Sequence, residues 1–145
     1  MTNRFFEISS PRDMLGKAKR DFAVMMSQLS VDSIFNFFVT AYHVMDYVKT
    51  QGKASDEAIN KFYEDEDFKM CNYICNKGKH PKKRSTLFET RHNKAALFDS
   101  ACFDEVAFDQ PESYVLIASG RRINVIPLAQ RILDKWENFF KDNGI

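Results

Sequence analysis

"VDSIFNFFVTAYHVMDYVK", residues 31–49, is the stretch whose reading decides the fold. Ile34, Phe38, Ala41, Tyr42, Met45 and Val48 recur at three- and four-residue spacing, which places them on one stripe of a helix. Phe35, Phe37, Val39, Val44 and Tyr47 widen that stripe until little polar surface remains, the pattern of a helix at the centre of a bundle rather than at its edge. Ser30 stands in front as a cap. The rest of the chain should therefore supply helices with one apolar face each, packed around this one.

Upstream, Ser10 followed by Pro11 and Asp13 reads as a helix start, with a capping hydroxyl, a proline in the first turn and an acid at the positive dipole end. Leu15, Ala18, Phe22, Met25, Met26 and Leu29 form its inward face. Downstream, "TQGKAS" is a turn, and Ser55, Asp56 and Glu57 restart helix with Ala58, Ile59, Phe62 and Tyr63 inward. The acidic run "EDED" at 64–67 marks either a bend or a second N-terminus. Phe68, Met70, Cys71, Tyr73, Ile74 and Cys75 carry the helix to Lys77, with Gly78 and Pro81 as stops.

Periodicity is lost from 82 to 112, where "STLFET" reads as a strand. "YVLIASGRRINVI" holds two β-rich runs, 114–118 and 122–126, around a Ser-Gly turn. Pro127 opens a last helix carrying Leu128, Ile132, Trp136, Phe139 and Phe140, which ends at Asn143-Gly144. The simplest assembly is one mainly α domain over 1–145, a four-helix up-down bundle with a small β-hairpin inserted before the last helix.

Composition limits the function classes. The chain has 145 residues, 44% of them hydrophobic and fourteen of them phenylalanine, enough for a substantial core. Its 21 basic and 20 acidic side chains nearly cancel, so any attraction to a polyanion must be local. Three cysteines without a signal peptide suit reduced thiols in the cytoplasm, and no apolar run approaches the roughly 18 residues that span a bilayer. The five glycines are scattered, so there is no phosphate-binding loop or dinucleotide motif, and no serine triad is present. No cofactor is expected.

Chemistry concentrates in "CNYICNKGKHPKKR", residues 71–84. Acids at the start of this helix and cations at its end are what a helix dipole favours, and Cys71 and Cys75, one turn apart, suit a buried apolar face. The same cations, Lys77, Lys79, Lys82, Lys83 and Arg84, with Arg91, His92 and Lys94 beyond them, also form a patch for phosphates. His80 lies among them, where an imidazole could exchange a proton with a ribose hydroxyl or a leaving oxygen while a neighbouring cation stabilises the phosphorane. Zinc is a third use of Cys71, Cys75 and His80 with Cys102 or His92, but a three-residue gap inside a helix presents two thiols poorly, and no metal is expected. His80 and His43 should not meet within one chain, because antiparallel helices would hold them roughly 18 Å apart, although a second subunit could bring them together. His43, on a helix with Asn36, Thr40 and Asp46, reads as a hydrogen-bonded core or groove residue.

The segment "CNKGKH" resembles the signature of the HEPN superfamily of small helical-bundle proteins, in which an arginine, a polar residue, a short spacer and a histidine lie near the end of the third helix. The "TAYHVMDYVK" helix, the hairpin and the closing "LDKWENFF" helix are similar to those of uncharacterised bacterial and mobile-element members, over most of the chain. The resemblance implies a helical fold, a homodimer, and in active members a metal-independent ribonuclease with a composite site at the dimer interface. Asn76 and His80 match the polar residue and the histidine, but Cys75 occupies the place of the arginine, and a thiol has neither the charge nor the planar fork of donors that grips phosphate. His80 as general acid/base, Asn76 as orienting residue and Lys79 or Arg84 as charge stabiliser, with Lys77, Lys82, Lys83 and Arg84 binding RNA, is one expectation. A non-catalytic homodimer that meets a protein partner in the manner of an antitoxin is the other.

Overall fold

In a computed structural model, the residues described are 5–79, 88–93 and 113–145. They form five helices, α1 (Pro11–Ser27), α2 (Val31–Gln51), α3 (Asp56–Tyr63), α4 (Glu66–Lys79) and α5 (Val125–Asn143), with strands β1 (Phe88–Asn93), β2 (Ser113–Ala118) and β3 (Arg121–Asn124) between α4 and α5. The fold is mainly helical with a small antiparallel sheet before the last helix.

Local chemistry sets the helix boundaries. The Ser10 and Ser30 hydroxyls each accept from the backbone N–H of the third residue of their helix, and the Asp13 and Ser33 side chains each accept from the cap backbone N–H, so α1 and α2 both start on a capping box. Gly52 ends α2 with φ 73° and Gly144 ends α5 with φ 66°, a left-handed conformation that only glycine adopts without strain. The acidic run resolves as a second N-terminus. The Asp65 carboxylate accepts from the backbone N–H groups of Asp67 (2.9 Å) and Phe68 (3.2 Å), which separates α3 from α4. The expected third helix is thus two, and α4 runs through Gly78 to Lys79 rather than stopping at Lys77.

The sheet differs from the expected hairpin in two ways. A third strand joins it: β1 pairs with β2 from Phe88↔Ala118 to Asn93↔Ser113, and β2 pairs with β3, giving the order β1-β2-β3. The central β2 buries both Val115 and Leu116, so its unbroken apolar run is explained by cover on both faces. In addition, β3 ends at Asn124, and Val125 and Ile126, expected in the strand, begin α5. Pro127 then sits inside the first turn, where its missing N–H has no helical acceptor to lose.

As expected of the most apolar helix, α2 is the hub, packing against α1, α4 and α5. Phe37, Phe38, Ala41, Val44 and Val48 are fully buried. Trp136 of α5 is also fully buried, and its indole N–H donates to the Ala41 carbonyl at 2.9 Å, satisfying the one polar atom that its burial brings inside. Phe62 stacks on Trp136 with ring centroids 4.2 Å apart, and Phe68 meets both rings edge-on. On the other side, Lys17 and Asp21 of α1 meet the buried Thr40 hydroxyl, which lies 2.6 Å from Asp21 Oδ2. Met26, expected to face inward, is 54% exposed: the inward turn at the end of α1 is taken by Met25.

Candidate functional site

The last two turns of α4 meet the sheet across a groove of about 350 Å³. Ile34 and Ile74 form its helical walls with Phe35, and Leu116 and Val125 close it from the sheet and the start of α5. Lys77 lies on the α4 side of this lining and Thr90, Arg91 and His92 on the β1 side. The register brings His92 opposite Tyr114, and the two rings stack with centroids 4.0 Å apart and planes 6° from parallel. The groove therefore combines an apolar interior with a stacked aromatic pair on the strand side and Lys77 on the helix side.

Of the residues expected from sequence, the structure places two beside each other on α4 but on different faces. Lys77 is half-buried and lines the groove. Asn76, about 100° round the helix, donates its side-chain amide to Asn72 Oδ1 one turn earlier. Lys79 is the last residue of α4. His80, Lys82, Lys83, Arg84, Lys94 and Cys102 lie outside the described residues.

Alternation along β1 sets Thr90 and His92 on one face and Glu89 and Arg91 on the other, but Arg91 borders the groove as well. The Arg91 guanidinium forks onto the Glu89 carboxylate (2.9 and 3.4 Å). That pairing holds the Glu89 carboxyl below its ordinary range and raises Arg91, so Arg91 is engaged within its own strand.

The two cysteines behave as small apolar groups. Cys71 is fully buried, burial pushes its thiol well above the ordinary value, and its Sγ approaches the Phe38 carbonyl at 3.6 Å. Cys75 is buried as well. Among the described residues no group of three or more His, Cys, Asp or Glu side chains could hold a metal ion. His43 is half-buried, with Nδ1 2.7 Å from the Val39 carbonyl oxygen, the hydrogen-bonded position expected of it. The contacts of Tyr42 with Phe68 and of Phe38 with Cys71 run α2 and α4 antiparallel, so Asn76 lies toward the start of α2 and His43 toward its other end.

The sequence reading missed a charge cluster at the opposite end of α4. Asp67 is 7% exposed and accepts two parallel bonds from Arg131 of α5, Nε to Oδ2 and Nη2 to Oδ1, both 3.0 Å. Lys135, one turn further on, bonds both oxygens of Asp65 and lies 2.7 Å from Asp67 Oδ2. Burial alone would raise the Asp67 carboxyl, but the hydrogen bonds from Arg131 and Lys135 outweigh it and hold the carboxyl below its ordinary range. Burial likewise pulls Lys135 down, and its two carboxylate partners more than reverse this. This bidentate clamp fastens α4 to α5 and leaves no charge for a ligand. The signal was present in the i,i+4 spacing of Arg131 and Lys135, which can oppose a doubly acidic helix start.

No protein-family model matches the chain, no curated protein matches it, and no solved structure matches it. No helix among the described residues is long and apolar enough to cross a membrane.

Proposed function

We propose that this chain is a HEPN-like domain, with α1, α2, α4 and α5 as its four bundle helices, that acts in the cytoplasm as a homodimer and binds single-stranded RNA at the C-terminal end of α4. The observation that supports this reading most is the groove itself: Lys77 at one side, the His92–Tyr114 stack at the other and apolar walls between. An unstacked base fits such a groove, and its phosphates would run toward the cations that follow Lys77 in sequence. In this reading Lys79, Lys82, Lys83 and Arg84 hold the backbone. His80 exchanges the proton of a ribose 2′-hydroxyl, Asn76 orients the sugar or phosphate, and Lys79 takes over the charge stabilisation that the family arginine supplies, since Cys75 stands in that place and is buried.

Incubating the protein with mixed RNA in EDTA, beside His80→Ala, tests both parts. Cutting that needs His80 and leaves cyclic-phosphate ends supports the nuclease. Binding without cutting supports an RNA-binding protein that has lost catalysis. Neither binding nor cutting overturns the reading in favour of a partner-binding, antitoxin-like protein, the second reading, which rests on the half-buried apolar side chains along the outside of α2.

A further inference from the structure

Arg91 brings a cation to the strand side of the groove, next in sequence to His92, and both residues border the same space. The Glu89 carboxylate accepts from its Nε and Nη2, at 2.9 and 3.4 Å, which sets the plane of the guanidinium. A guanidinium carries five N–H donors in a rigid fork, and those two bonds occupy its Nε side. Its end, Nη1 with the second hydrogen of Nη2, presents two further parallel donors. With 59% of Arg91 and 58% of Glu89 exposed, the pair contributes little to stability, so the orientation it gives Arg91 is its main effect.

We propose that the groove selects guanine, with the Arg91 fork donating to guanine O6 and N7. Two features make the choice. The first is the fork, which needs two acceptors side by side. Guanine has them in O6 and N7 and cytosine in O2 and N3, whereas adenine sets a donor amine beside each of N1 and N7, and uracil separates its two carbonyls by an N–H. The second is ring size: a purine covers more of the apolar walls, Ile34, Ile74 and Leu116, than a pyrimidine does, which places guanine above cytosine. Lys77, on the helix side, is a point charge without a planar fork and suits the backbone phosphate instead. This choice rests on the RNA reading above and names the base that the site prefers.

Fluorescence anisotropy tests it, with the full chain and labelled RNAs of about ten nucleotides that are uridine throughout except for a central guanine, cytosine or adenine. The guanine RNA should bind about fivefold or more tightly than the adenine RNA, with the cytosine RNA between them. Replacing the guanine by 7-deazaguanine, which loses N7, should remove most of that advantage, and hypoxanthine, which keeps O6 and N7, should retain it. Arg91→Lys keeps the charge without the fork and should bring the guanine RNA to the level of the adenine RNA. The base analogues remain informative if that substitution disturbs folding. Equal affinity for guanine and adenine, a tighter cytosine RNA, or a preference that survives 7-deazaguanine or Arg91→Lys overturns this inference and leaves the RNA reading standing. Binding of none of the RNAs overturns the RNA reading, and calorimetric titration with GMP and AMP then decides the base choice alone: GMP binding without AMP upholds a guanine site for a free nucleotide, and equal binding or none overturns it.

Discussion

The two ends of α4 carry charge in opposite ways. At its N-terminus Asp65 and Asp67 are consumed by structure: Asp65 caps the helix, and Arg131 and Lys135 of α5 neutralise both carboxylates over distances of 2.7–3.0 Å. At its C-terminus Lys77 borders an apolar groove with an aromatic stack across from it, and the sequence continues into further cations. A helix dipole favours both sets of charges equally. What differs is the neighbour: α5 brings matching cations to one end, and the sheet borders the other with the His92–Tyr114 stack, Arg91 and apolar side chains. Charge pattern alone therefore does not distinguish a clamp from the border of a groove.

The largest effect should come from cutting the clamp. Asp67→Ala leaves Arg131 and Lys135 facing a buried gap and should destabilise the fold by about 2–3 kcal/mol, below the usual value for breaking a fully buried pair because both cations are partly exposed. Urea denaturation measures this, and a change near zero would mean that the clamp holds nothing. Next comes the cap: Asp65→Ala removes the acceptor for two backbone N–H groups and one partner of Lys135, at a cost of about 1–2 kcal/mol.

Acid should reproduce the loss at Asp67 without mutation. Its carboxyl is depressed in the folded state, so the stability it contributes is present above the ordinary value of 3.8 and fades as pH falls through the lower folded value. Melting temperature followed from neutral pH downward should therefore drop below about pH 4, and Asp67→Asn should flatten that drop. The smallest effect on stability belongs to the other end. Lys77→Glu should cost less than Asp67→Ala, and a loss comparable to that of Asp67→Ala would erase the contrast between the two ends.

Much of this fold was legible because it is encoded locally. Ser10 and Ser30 with their returning partners, the spacing of apolar residues on α2, and Asn143-Gly144 are short-range signals that the structure bears out. The hydrogen-bonded state of His43 and the burial of Cys71 and Cys75 followed from their places on amphipathic helices. What escaped depends on distant partners. Asp67 and Arg131 are 64 residues apart, and nothing near Asp67 distinguishes a buried carboxylate from an exposed one. The pairing of β1 with β2 spans a long connection, so the His92–Tyr114 stack had no local trace. Val125 and Ile126 have strand character, but Pro127 and the apolar spacing that follows draw them into α5. The candidate site was legible in composition, through its cations, but not in shape, since the groove is made by α2, α4, β1, β2 and the start of α5, which only the tertiary fold brings together.

The most direct test of the central claim is fluorescence anisotropy of a labelled single-stranded RNA of about ten nucleotides, in EDTA, titrated with wild-type protein and with Lys77→Glu. Wild type should bind with an affinity that falls steadily as salt rises, and Lys77→Glu should bind about tenfold more weakly with a shallower salt dependence. Equal binding by the two proteins, or an affinity indifferent to salt, would contradict the assignment of the α4 end as the RNA site.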